Sequence, residues 1–173
     1  MAKANRIYAL EIDYENFKSF VPSDMAISVR CKGEALNWKD ALAIETDEED
    51  IGMPEADISL LNIGSFVISA DLRQTLSSIS DDGCEYLPLV FRDRNYFLVN
   101  VIRVADCLDK SLSEFNPYGG VRKIVFDANK VPKSGFFKIT EDNCTTIFCA
   151  ADIHDLFMQN SLTGVDFEEF PIA

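Results

Sequence analysis

A chain of 173 residues, 47% apolar and 26% charged, has the size and make-up of one globular domain that buries its own core. Lys and Arg number 16 and Asp and Glu 29, and the net charge of -13 excludes a broad basic footprint for nucleic acid and argues against docking on anionic lipid. A single histidine, His154, removes most histidine-based metal sites and triads.

The first residues, Met1 to Glu11, carry two cations but no apolar run long enough for a signal peptide. The longest apolar stretches, Leu87–Phe91 and Tyr96–Val99, fall far short of a spanning helix, so a cytoplasmic protein without membrane contact is expected. Residues 6–13 alternate near period two and predict a strand. A Phe/Pro loop, Phe17 to Pro22, follows. Residues 25–31 read as a second strand and Ala41 to Glu45 as a third. The stretch Glu45 to Asp57 then holds seven acids and no base, interrupted by Gly52 and Pro54. It predicts a loop and an internal boundary, dividing a β-rich portion (1–57) from the remainder (58–173).

Beyond residue 58 the pattern sharpens. Leu72, Leu76 and Ile79 recur at helical spacing, Ser69 suits the N-cap, and Asp71 lies where the helix dipole favours an anion. Asp81-Asp82-Gly83 is expected to end this unit. Cys84–Phe91 and Tyr96–Ala105 flank Arg92–Asn95 and predict a hairpin whose second strand, apolar on both faces, is covered on both. Gly119-Gly120 marks a turn before a strand over 121–126, and residues 136–139 predict another.

The last segment repeats an earlier one. Residues 66–86 and 147–167 share the order strand, helix, glycine, strand at a constant offset of 81, aligning Asp71 with Asp152, Gly83 with Gly164 and Tyr86 with Phe167. The expected fold is therefore α+β: a single domain with a largely antiparallel sheet and two main helices, Ala70–Ile79 and Ala151–Asn160, from a duplicated β-α-β unit.

The repeat also tests candidate chemistry. Cys149 aligns with Ile68 and Cys84 with Val165, so both thiols take apolar strand positions. The five cysteines (Cys31, Cys84, Cys107, Cys144, Cys149) lack paired C-x-x-C spacing and read as free thiols, with no metal called for. His154 aligns with Arg73 and lies off the apolar stripe of Ile153, Leu156 and Phe157, which points it to water rather than to catalysis. Asp106 and Asp109 can be read as paired carboxylates, or more simply as strand-exit turn residues. Asn100, inside an apolar strand, needs hydrogen-bond partners and is expected to order a loop.

Six elements carry a family resemblance: Ile68-Ser-Ala-Asp-Leu72, Gly83-Cys-Glu-Tyr-Leu-Pro88, the run from Tyr96 to Ser111 with Asn100-Val101 and Asp106-Cys-Leu-Asp109, Lys123-Ile-Val-Phe-Asp127, Phe136-Phe-Lys-Ile139, and Leu162-Thr-Gly-Val-Asp-Phe-Glu168. With them the stretch Ser69–Phe170 resembles the eleventh of the numbered immunity families of bacterial polymorphic-toxin systems. The first 57 residues carry none of these motifs. The resemblance implies an antitoxin that binds a cognate secreted toxin and covers its active surface, without catalysis or cofactor. The charge of -13 suits a basic toxin domain, and Asp47, Glu48, Glu49, Asp50, Glu55 and Asp57 of the acidic loop are the expected contacts. Two other readings stand beside this one: an adaptor or chaperone escorting a secreted effector, and a small enzyme reversing a toxin's modification through Asp106, Asp109 and His154.

Overall fold

Alternation along the first strand sends Tyr8 and Leu10 to one face and Ile7 and Ala9 to the other, and both pairs are buried. The same division recurs in every long strand and fixes the layers of the molecule. The computed structural model describes residues 6–80 and 83–173. Asp81 and Asp82, expected to end the first unit, lie outside the described residues.

The elements run in order β1 (Ile7–Ile12), β2 (Phe20–Pro22), β3 (Leu42–Thr46), β4 (Ser65–Ser69), α1 (Ala70–Ser80), β5 (Cys84–Phe91), β6 (Arg94–Val101), β7 (Glu114–Phe115), β8 (Val121–Lys123), β9 (Phe136–Phe137), β10 (Phe148–Ala150), α2 (Ala151–Gln159) and β11 (Val165–Phe170). A four-stranded sheet has the order β11-β1-β10-β9 and a five-stranded sheet the order β2-β3-β5-β6-β4; β7 and β8 form a hairpin. Every pairing is antiparallel except β3 with β5.

The duplicated unit is present, with an addition. In each copy the two strands of the β-α-β unit lie parallel and a third, antiparallel strand fills the space between them: β6 between β4 and β5, β1 between β10 and β11. The registers coincide. Ile68 pairs with Phe97 as Cys149 pairs with Tyr8; Tyr86 pairs with Val99 as Phe167 pairs with Leu10; Cys84 pairs with Val101 as Val165 pairs with Ile12. The segment Tyr8–Ile12 is thus the counterpart of Phe97–Val101. The first copy takes its middle strand from the residues that follow it, the second from residues that precede it by more than a hundred positions.

Both sheets turn one face to a shared core holding Phe66, Ile68, Val99 and Val101 from one half, Tyr8, Leu10 and Cys149 from the other, and Leu76, Ile153 and Phe157 from the helices. Leu72 N donates to Ser69 Oγ at 3.3 Å, the expected cap of α1. The outer face of the five-stranded sheet (Val67, Leu87, Leu89, Leu98) is covered by Phe20, Cys31, Leu36 and Trp38. The outer face of the four-stranded sheet (Ile7, Ala9, Phe137, Phe148) is covered by Cys107, Leu108, Phe126 and Val131. Strand β6 is buried on both faces, as its composition predicts.

The expected second strand over 25–31 does not form. Asp24 Oδ1 accepts from Ala26 N (2.9 Å) and Ile27 N donates to Asp24 O (3.0 Å), so the segment opens with a turn that leaves Met25 87% exposed. The strand at this point is β2, inside the expected Phe/Pro loop. There Phe20 is buried against Phe91 and Tyr96, and Pro22 is tolerated because β2 is an edge.

Candidate partner-binding surfaces

The acidic loop is a built structure in which four of the six expected contact carboxylates hold the chain. Asp47 Oδ1 accepts from Glu49 N (3.1 Å) at the start of a single 3-10 turn, Glu48–Asp50. Asp50 Oδ2 accepts from Ser19 N (2.7 Å). Glu55 accepts two hydrogen bonds from Arg94 Nη2 (2.8 and 3.0 Å) with Lys18 Nζ at 3.6 Å, and this pairing with Arg94 holds its carboxyl below the usual range. Asp57 Oδ2 accepts from Thr163 N (2.8 Å) and Thr163 Oγ1 (2.9 Å), tying the loop to the second repeat. Glu48 and Glu49 are exposed and make no ion pair with any described residue. Exposed Ile51 stands beside them, on the rim of a groove of about 560 Å³ that runs to Glu45, Val90 and Arg92.

A second acidic surface went unread in the sequence. Strand pairing sets Glu11 directly opposite Asp166, with Glu168 opposite Ala9 on the same face. All three acids are exposed, and none forms an ion pair with a described residue. They border grooves of about 340 and 480 Å³ that share Glu11, Ile12 and exposed Tyr14. The signal lay in the alternating acids of residues 166–168 and Glu11, but strand partners 155 residues apart cannot be matched by spacing alone.

The enzymatic candidates disperse. Asp109 Oδ1 accepts from Ser111 N (2.9 Å), Ser111 Oγ (2.6 Å) and Leu112 N (3.1 Å), and these bonds, led by Ser111, lower its pKa: it caps a turn. Asp106 pairs on the surface with Lys110 at 3.6 Å. His154 departs from expectation. It lies off the stripe of Ile153 and Phe157, yet its side chain is only 24% exposed, because it stacks on Tyr8 and meets the edge of Phe167. Arg73, its repeat counterpart, lies over Tyr86 (4.5 Å) and Phe97 (5.2 Å), the counterparts of Phe167 and Tyr8. Asn100 orders a loop as expected: Nδ2 donates to Glu34 O (2.8 Å) and Glu85 Oε2 (3.0 Å), and the Glu85 carboxylate accepts from Leu36 N and Asn37 N. All five cysteines are buried, and none forms a disulfide. Among the described residues no three His, Cys, Asp or Glu side chains converge to hold a metal ion. Nor is any described helix long and apolar enough to cross a membrane.

What the geometry offers is an α+β scaffold whose carboxylates cluster on two exposed surfaces. The model of the Immunity protein family (Imm11) matches residues 1–171, and the chain belongs to that family. The match takes in the first 57 residues, which carry none of the motifs quoted above. No curated protein matches the chain.

Proposed function

We propose that the protein is a cytoplasmic, non-enzymatic antitoxin that binds the toxic domain of a cognate secreted protein and covers its active surface. The observation that carries this reading is the family match over 1–171. Blocking requires a complementary rigid surface and slow dissociation, and no bond is broken. The net charge of -13 supports a basic toxin domain as the partner, since opposite charge speeds encounter and selects the partner. Of the acidic-loop residues Asp47, Glu48, Glu49, Asp50, Glu55 and Asp57, we assign direct contact first to Glu48 and Glu49, with Ile51 as apolar anchor. The other four present the loop.

The test is co-expression with the toxic domain encoded beside the gene. Protection of the cells and a stable complex between the purified proteins are expected. A protein that binds only the non-toxic part of that neighbour, without protecting against the isolated toxic domain, is an adaptor instead.

A further inference from the structure

Strand β11 is the outer edge of the four-stranded sheet. Its even-numbered backbone faces β1: Asp13 N donates to Gly164 O (3.0 Å), and the register continues through Asp166, Glu168 and Phe170. Backbone direction alternates along a strand, so the N–H and C=O groups of Val165, Phe167 and Glu169 point away from the sheet. The chain itself closes both ends of this edge. Ile58 N donates to Thr163 O (3.1 Å) at one end. At the other, Phe126 N donates to Pro171 O (2.9 Å) and Ala173 N to Phe126 O (2.9 Å). Between these two points no described segment bonds the outward groups, which leaves an open window of about 17 Å at strand rise. The remaining edges are covered or short. Ser59 and Val67 exchange backbone bonds along β4, β2 has three residues and β9 two.

The side chains flanking the window say what fits it. One face carries the acids Asp166, Glu168 and Glu11, and like charges set directly opposite destabilise a sheet, so their mutual pairing does nothing for the fold. The other face carries half-buried Val165 and Phe167 at the border of the core and, beyond them, exposed Glu169, which pairs with Arg6 at 3.9 Å. A strand added here places alternate residues against acids and against apolar groups. A second copy of the chain is the wrong occupant, since Asp166, Glu168 and Glu169 would meet their own like charges.

We propose that the open edge of β11 accepts an extended segment of the partner in which basic and apolar residues alternate. This deepens the antitoxin reading and rests on it for the partner's identity. The probe is a labelled heptapeptide of alternating lysine and valine, titrated into the full-length protein and followed by fluorescence anisotropy. Glu169→Pro removes one outward N–H and leaves the β1 ladder whole, because proline is tolerated where the N–H faces solvent, and Glu169→Gln is the control for the carboxylate and Arg6 pair lost with it. At least a tenfold loss of affinity is expected for Glu169→Pro and for Asp166→Lys/Glu168→Lys. Wild-type protein that does not bind the peptide overturns the proposal. So does equal affinity for a peptide with its lysines and valines in separate blocks, or unchanged affinity in the charge-reversed protein, which decides the matter if the proline variant does not fold. A Glu169→Pro protein that folds, loses the peptide and still protects cells fully also overturns it, leaving the antitoxin reading intact. Wild-type protein that binds the peptide in this edge-dependent way but fails to protect ends the antitoxin reading alone.

Discussion

The imidazole of His154 lies flat on the ring of Tyr8, with centroids 4.1 Å apart and planes 10° apart. The pair joins α2 to β1, and Phe167 closes it edge-on at 5.0 Å. Aromatic pairs of this kind contribute about 0.5–1.5 kcal/mol beyond the area they bury. His154→Ala is expected to lower stability by about 1 kcal/mol, a drop of roughly 2–4 °C in Tm for a chain of this size. His154→Phe keeps the stack and is expected to stay near wild type. Urea unfolding of both variants checks this, and equal losses in the two would show that the stack contributes nothing.

The acidic loop separates contact from support. Glu48→Lys/Glu49→Lys is expected to leave Tm unchanged, slow association with a basic toxin domain, and flatten the dependence of that rate on salt. Stopped-flow mixing at low and high salt measures it, and an unchanged rate removes these residues from the encounter.

Glu55 is expected to behave in the opposite way, affecting the fold rather than binding. Its folded pKa is depressed by Arg94, so its contribution is present above about pH 4.5, the ordinary glutamate value, and is lost as pH falls through the lower folded value. The group is exposed enough to limit the effect to about 1 kcal/mol or less. Glu55→Gln is therefore expected to lose up to about 1 kcal/mol at neutral pH and to flatten the acid limb of the stability curve below pH 4.5. Unfolding measured from pH 3 to pH 7, as roughly the range over which carboxylates titrate, tests this.

Alkaline pH probes the buried thiols. Burial raises Cys31, Cys144 and Cys149, and pushes Cys107 up to about 12. The unfolded chain releases these protons from about pH 9, so stability is full below that pH and declines above it. Lys138, buried with Nζ donating to Cys31 O, has its pKa lowered by the same desolvation and tilts the curve the other way as pH approaches 10.5. Cys107→Ala/Cys149→Ala is expected to lose stability at pH 7 yet decline less steeply above pH 9. In the native protein a disulfide reagent at pH 8 should find no rapidly reacting thiol; a fast thiol would contradict the burial of all five.

Gly164 packs closely against Ala56 and Ile58, in the segment that leads to β4. Its φ is +84°, and a Cβ there would lie 2.1 Å from Ile58 O and 2.5 Å from Ala56 Cβ. Gly164→Ala combines left-handed strain with a clash against backbone and is expected to cost about 2–4 kcal/mol. Gly119→Ala, with φ +86° but open space around it, carries the strain alone and is expected to cost less. Thermal unfolding of the two variants side by side tests the order.

The local elements were legible in the sequence because each carries its own signal. Ser69 marks the start of α1, the apolar positions from Phe97 to Val101 mark a doubly covered strand that ends short of the expected Ala105 and leaves Val104 exposed, and the offset of 81 marks the repeat. The stretch 25–31 misled because its period-two apolar pattern is real while its backbone is claimed by Asp24. Nothing local shows that Tyr8–Ile12 completes the second copy, since the equivalence holds in register and not in chain order. For the same reason His154 reads as a surface residue until Tyr8 arrives beside it. The β11 acids share this cause: their meaning depends on which backbone groups remain unpaired, a property of the assembled sheet.

The displaced middle strand sets an order of events during synthesis. The half spanning residues 65–101 has all its strands once residue 101 has left the ribosome and can pair them then. The strand Ile7–Ile12 is made long before either of its neighbours, β10 and β11, and must wait until residue 170 is made. Such long sequence separation slows closure. A nascent or prematurely terminated chain therefore carries Tyr8 and Leu10 as uncovered strand surface, recognisable to proteases, and β11 becomes an edge only on β1. Strand β11 thus completes the surface we assign to the partner only after β1 and β10 have been made.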